Sequence, residues 1–341
     1  MTEPLDIEQP DALLRYLRES QRVRCDETPV FTVLAGGVSN RTVLVRRANG
    51  DEWVLKQALP KLRVKEDWFS DPARVHREAL GLRWLEQLAP LGAVPRFLFE
   101  DKVHHLFAMQ AVPQPHENWK MRLLAGGLEQ DHVVQFGHLL GTIHRCSRER
   151  EREIASAFDD RSFFESLRLE PYYRFAAHRN PIATDFLRKL IEETWAARLA
   201  LTHGDYSPKN ILVHRGRLVL LDHEVIHFGD PAFDLGFSLT HLLSKAHHLS
   251  TQRAAFLNAA QTCWASYQEA AGDLARHAGL EARAARHTLG CLLARVDGRS
   301  PLEYLTGPEQ ARQRDTVLEM MCAPPARLPQ LIDVFGARLG N

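Results

Sequence analysis

Beyond about residue 112 the pattern is mostly helical, and one stretch within it has the period of strands: ALTHGDYSPKNILVHRGRLVLLDHEV, residues 200–225. Two apolar runs, NILV and RLVLLD, flank His-Arg-Gly, and this predicts a hairpin centred near Arg215–Gly216. Pairing outward, residue 213 faces about 218, and Asn210 reaches 221 or 222. Asn210 then lies beside Asp222 at the open end, with Asp205 just before it. If the strand continues, Asp222 and Glu224 point to one side, because side chains alternate along a strand. Three carboxylates and an amide, with only Lys209 as a base among them, would repel one another. A divalent cation resolves that repulsion, and an all-oxygen donor set with few protein carboxylates suits Mg²⁺. The alternative is a set of independent turn residues on a surface hairpin.

The rest of the chain divides in two. Asp11–Arg22 has the pattern of a short amphipathic helix. Three strand-like runs follow, Phe31–Leu34, Thr42–Arg46 and Glu52–Gln57, joined by GGVSN and ANGD. SDPARVHREALGLRWLEQL is a helix that Asp71 can cap and whose first turn suits Pro72. RFLFED and HLFAMQAV are two more strands, and the proline-containing VPQPHENWK is expected to be a linker. Helices dominate beyond it, led by DHVVQFGHLLGTIHRCSRER, where Gly137 and Gly141 permit close helix contact. Weaker helical patterns include SFFESLRLE and extend to ARAARHTLGCLLARV. The fold class is α+β and bilobal, with a β-rich lobe over residues 1–112 and a larger helical lobe over 113–341.

Lys56 ends the apolar run WVLK inside a predicted strand, so it needs an acidic partner. Glu78, in the following helix, is the candidate. A lysine held in this way is what phosphoryl transfer requires for nucleotide phosphates. Val54 shares the face of Lys56 and could pack on an adenine. Gly36 and Gly37 permit close backbone approach to phosphates, and Ser39 adds a donor; a plain hairpin turn explains the same residues.

Lys+Arg and Asp+Glu both number 43, so no net charge points to a nucleic-acid partner. No apolar run approaches membrane-span length, and the acidic, polar start does not have the pattern of a signal peptide. The five scattered cysteines form no CxxC pair, which leads to the expectation of a reduced, cytoplasmic protein, monomer or homodimer.

HGDYSPKN and LLDHEVIHFGDPAFDLG together resemble the HGDxxxxN and DxE…GDPxFDLG motifs of the aminoglycoside phosphotransferase and choline kinase superfamily. That superfamily has the protein-kinase-like fold. VLKQALPKLRVKEDW and Asp222–Glu224 are most similar to its methylthioribose kinase branch, while Tyr206–Lys209 departs from that branch. The resemblance implies an ATP- and Mg²⁺-dependent kinase acting on a small-molecule hydroxyl. Asp205 would be the catalytic base, Asn210, Asp222 and Glu224 would hold the metal, and Lys56, held by Glu78, would bind the phosphates. Met109, Gln110 and Val112 would belong to the hinge that binds adenine, and His203 and Asp234 would brace the catalytic loop. For the acceptor site the candidates are Arg295, Asp297 and Arg299, which interrupt an apolar helix end, and Trp119. A sugar-like acceptor is expected; the alternatives are an aminoglycoside or amino-alcohol phosphotransferase and a nucleotide-binding pseudokinase.

Overall fold

The computed structural model describes residues 5–34, 39–63 and 69–339. Five strands build the first lobe: β1 (Val30–Val33), β2 (Asn40–Arg46), β3 (Glu52–Ala58), β4 (Phe97–Asp101) and β5 (Leu106–Gln110). They form one antiparallel sheet in the order β1-β2-β3-β5-β4. The Asn-Gly turn between β2 and β3 puts Gly50 at φ +89°, a conformation that costs glycine little.

Each face of this sheet is covered by one helix. Helix α1 (Pro10–Glu19) lays Leu13, Tyr16 and Leu17 against Val43, Val45, Leu55 and Phe99. Helix α2 (Arg74–Leu88) packs Val75, Ala79 and Leu82 on Phe107 and Met109 from the other side. Each such aliphatic side chain contributes about 1.5–3 kcal/mol by leaving water. Alternation along β3 therefore sends Leu55 toward α1 and Val54 and Lys56 toward α2.

The expected linker is only partly one. Its end, His116–Asn118, forms strand β6 and pairs with the strand Ile211–His214. The residues after Pro115 regain backbone N–H groups, so they can add to a sheet edge where the prolines cannot.

The second lobe is mainly helical. It contains α3 (Trp119–Leu124), α4 (Gln130–Glu149), α5 (Thr184–Ala196), α6 (Pro231–His248), α7 (Arg253–Ala271), α8 (Leu280–Asp297), α9 (Gly307–Cys322) and α10 (Leu328–Leu339). A Cβ on Gly137 or Gly141 of α4 would run into the backbone of α7 at Cys263 or Tyr267, so the close contact expected of these glycines is present. Helix α6 is buried along nearly its whole length, polar residues included.

SFFESLRLE is not a regular α-helix. Ser162–Phe164 leads into a π-helical segment, Glu165–Arg174, with Pro171 inside it. A proline cannot donate to an α-helical ladder, and wider winding accommodates it. Helices α9 and α10 lie beyond the last helix expected from sequence. Among the described residues no helix is long and apolar enough to cross a membrane.

Candidate active site

The site is built at the seam of two small β-sheets. Strand β7 (Ala200–Thr202) pairs with β10 (His227–Gly229), while β8 (Ile211–His214) and β9 (Arg217–Leu220) form the hairpin. Val213 faces Leu218, the expected register, and the turn carries two positive φ values, Arg215 at +49° and Gly216 at +73°. That pairing belongs to a tight two-residue hairpin whose twist matches its strands.

Asp205 is fixed from several sides. Gly204 turns the chain at φ +76°. Asp234, buried at the start of α6, accepts from the backbone N–H of His203 at 2.6 Å and of Gly204 at 2.8 Å. His144 contacts the same carboxylate at 3.1 Å; burial alone would raise the Asp234 pKa, but the His144 hydrogen bond leads the effects that lower it below the usual range. Asn210 donates its side-chain N–H to Asp205 Oδ2 at 2.8 Å and to the Asp205 carbonyl at 2.9 Å.

His203 Nδ1 accepts the Asp205 N–H at 3.2 Å, so its own proton sits on Nε2 and faces His223 Nδ1 at 3.1 Å. Burial depresses both imidazoles and keeps them neutral.

Lys56 joins the two lobes. Its Nζ lies 2.5 Å from Glu78 and 2.8 Å from Asp222. Burial would lower this ammonium's pKa; the carboxylates of Asp222 and Glu78 override it and hold it above the ordinary lysine value. Burial raises Glu78, while for Asp222 the Lys56 charge overcomes burial and lowers it.

The strand does not continue to Glu224 as expected. Asp222 sits at φ +68°, beyond the end of β9, and it pairs with Lys56 while Glu224 pairs with Arg74 at 3.2 Å. Arg74 is wholly buried and also donates to the carbonyls of Ser39, Leu59, Ser70 and Asp71. Nor is the cluster short of bases. Arg168, from the π-helical segment, reaches Asp205 Oδ2 at 2.9 Å and the Gly204 carbonyl at 2.7 Å. Nothing in the local spacing marks Arg168, which lies far upstream of Asp205; only the tertiary fold brings the two together.

Val54 and Met109 share one apolar cluster with Ala58 and Phe97. Gln110 ends β5, Val112 lies in the connection after it, and Ser39 is buried just before β2. Gly36 and Gly37 lie outside the described residues.

The acceptor candidates do not gather around Asp205. Asp297 accepts both Arg314 bonds at 2.6 Å and one from Asn180 at 2.9 Å. Arg299 pairs with Glu170 at 3.2 Å. Trp119 is buried edge-on against Phe136, with ring centroids 4.8 Å apart. Arg295 turns inward to the Tyr172 hydroxyl at 3.0 Å. Tyr206, in the segment expected to distinguish this chain, is a core residue stacked on Phe136 at 4.4 Å.

An all-oxygen metal site fits these residues in part. Asn210 commits its N–H to Asp205, which leaves its Oδ1 uncommitted; Asp222 commits one oxygen to Lys56 and keeps the other. No three His, Cys, Asp or Glu side chains form a metal cage among the described residues. Such a set suits an ion that completes its shell with phosphates and water.

Solved structures share the fold. A choline/ethanolamine kinase family protein from Mesorhizobium loti is 14% identical, with 96% of this chain and 98% of that one covered and a TM-score of 0.53. The amicoumacin kinase hAmiN, in complex with AMP-PNP, Ca²⁺ and Ami, is 14% identical, with 88% and 91% covered and a TM-score of 0.53. A choline kinase from Streptococcus pneumoniae is 13% identical, with 91% and 99% covered and a TM-score of 0.50. No curated protein matches the chain. The model of the phosphotransferase enzyme family matches residues 30–270, which include both lobes' contributions to the seam around Lys56, Asp205 and Asp222. The chain belongs to that phosphotransferase family.

Proposed function

We propose that this protein is an ATP-dependent O-kinase that transfers the γ-phosphate to a hydroxyl of a small, sugar-like metabolite. Residues 1–112 would bind nucleotide and 113–341 would supply the catalytic loop and acceptor site. The observation that carries this reading is Lys56, whose ammonium lies between Glu78 of the first lobe and Asp222 of the second. A strand lysine braced by a helix glutamate, opposite a carboxylate next to the catalytic loop, is the arrangement phosphoryl transfer uses to hold phosphates.

Asp205 is the base. Asn210 and Arg168 both engage its Oδ2, which leaves Oδ1 for the acceptor hydroxyl. Proton removal comes late in a loose transition state, so a carboxylate braced by a salt bridge still serves, and positioning dominates. Lys56 and the hinge Met109–Val112 orient the nucleotide, with Val54 and Met109 as the apolar floor under its base. Asn210 and Asp222, with Glu224 beside them, would hold Mg²⁺, which supplies charge neutralisation on the phosphates.

Methylthioribose is one neutral acceptor of the expected class. An ATP-consumption screen over sugars, nucleosides, amino alcohols and aminoglycosides, with mass spectrometry of the product, tests the proposal. Asp205→Ala should abolish detectable turnover while Mg·ATP still raises the melting temperature. Wild-type turnover in that variant would overturn the assignment. ATP stabilisation with no turnover on any acceptor would favour the pseudokinase alternative.

A further inference from the structure

Helix α6 buries a lysine without a carboxylate. Lys245 has no solvent exposure, and its Nζ is bonded to the His241 carbonyl at 3.2 Å and lies 5.3 Å from the Tyr304 ring. Lys120, at the start of α3, faces the same ring at 6.0 Å. Arg295 comes in from α8. The acidic group nearby, Glu303, is bonded to Lys120.

Several buried polar atoms here have no hydrogen-bond partner among the described residues: His241 Nε2, Arg295 Nε and the Tyr304 hydroxyl. His241 is 3% exposed and Arg295 8%. A buried charge is costly unless it is paired, and buried donors cost when left unmade. A cluster of cations and orphan donors is therefore a site that lacks an anion.

Contacts connect this cluster to the catalytic residue. The Arg295 guanidinium lies 5.7 Å from the Tyr172 ring, and Arg168, which holds Asp205, lies 5.8 Å from the same ring. Tyr172 also stacks on Phe237 at 5.9 Å, and Phe237 meets His241 at 5.1 Å. The cluster thus sits in the helical lobe, linked to Asp205 through the Tyr172 ring and Arg168.

Resting on the kinase reading above, we propose that the acceptor carries an anionic group, a carboxylate or a phosphate, which docks against Lys245, His241, Arg295 and Lys120 beside Tyr304. The titration behaviour agrees. Burial, reinforced by the charges of Lys120 and Arg295, pulls Lys245 down to about 7. Burial and then Arg295, Lys245, Lys120 and Lys209 keep His241 neutral, well below the usual histidine range. An arriving anion would restore the Lys245 charge and take up the open donors.

The test compares hydroxy acids (glycerate, gluconate) and sugar phosphates (ribose phosphate, glycerol phosphate) with neutral counterparts (glycerol, ribose, methylthioribose) and amino alcohols. ADP release is followed at saturating Mg·ATP. One anionic arm should exceed its neutral counterparts roughly 100-fold in kcat/KM, and which arm does so separates carboxylate from phosphate. Lys245→Met should remove that preference through KM while the thermal shift with Mg·ATP stays unchanged. Lys120→Met, at a partly exposed position, should lower it about tenfold and serves if the first variant folds poorly. A better neutral or amino-alcohol acceptor, or both variants within about twofold of wild type, would overturn the proposal. Failure of the kinase reading shows differently, as no Mg·ATP stabilisation and no turnover in any arm. The anion site is then read by titrating inorganic phosphate and malonate: a thermal shift present in wild type and absent in Lys245→Met supports it, and no shift in either protein overturns it.

Discussion

Lys56 and Lys245 are both buried ammonium groups, and the protein treats them in opposite ways. Lys56 lies between two carboxylates, so its charge is held firmly. Lys245 is surrounded by Arg295, Lys120 and a tyrosine ring, so its charge is barely held near neutral pH. The first has two carboxylates against one ammonium, so its charge is more than matched within the protein. The second has cations rather than carboxylates beside it, the gap that the proposed acceptor anion would fill. Both are buried; the neighbours decide how firmly each lysine keeps its charge.

Removing each charge should therefore have opposite consequences. Lys56→Met leaves Glu78 and Asp222 close together without their cation, and should cost about 3–5 kcal/mol in urea unfolding, with loss of turnover. An unfolding midpoint equal to wild type would mean that the pair is not coupled. Lys245→Met should instead stabilise the free protein, by on the order of 1–3 kcal/mol near pH 6, because it removes an uncompensated buried charge. This gain has a defined pH window. The folded pKa of Lys245, about 7, lies below its ordinary 10.5, so the unfolded state binds more protons between those values. Wild-type stability from this group rises with pH across that window, and the full penalty is present below about 7. The advantage of Lys245→Met should shrink as pH rises from 7 toward 9; a constant difference would show that Lys245 is not the titrating group. The smallest effect belongs to Asp297→Asn, which should cost about 1 kcal/mol by weakening the Arg314 pair and leave the KM of the acceptor unchanged. A raised KM there would move the acceptor site toward Asp297.

The hairpin was legible because its information is local. An apolar frame and a His-Arg-Gly turn fix the register, and the register carries Asn210 toward Asp222. The Lys56–Glu78 pair was legible for a related reason: a lysine in an apolar strand demands a partner, and one helix supplies it. Arg168 and Arg74 were not, since each reaches its carboxylate across a long stretch of chain with no fixed spacing. Asp222 itself was legible, but the strand expected to continue to Glu224 was not there, because one residue at positive φ ended the alternation. The start of α9 did carry a usable signal, Thr306 three residues before Glu309, a capping box that forms as such a pair should. The Lys245 cluster could not be read at all, because lysine spacing on an amphipathic pattern looks the same whether the helix lies at the surface or is enclosed.

Arg74 sets how freely its surroundings can drift. A guanidinium offers five N–H groups, and here they meet four main-chain carbonyls and the Glu224 carboxylate. Every residue type brings a carbonyl, so side chains at 39, 59, 70 and 71 can be exchanged without losing an acceptor. Arg74 itself has no such latitude: a lysine brings three N–H groups from one point and would leave buried acceptors dry. The hold of Arg74 on these four carbonyls therefore survives a change of side chain at any of the four, and is lost by a change at Arg74 alone.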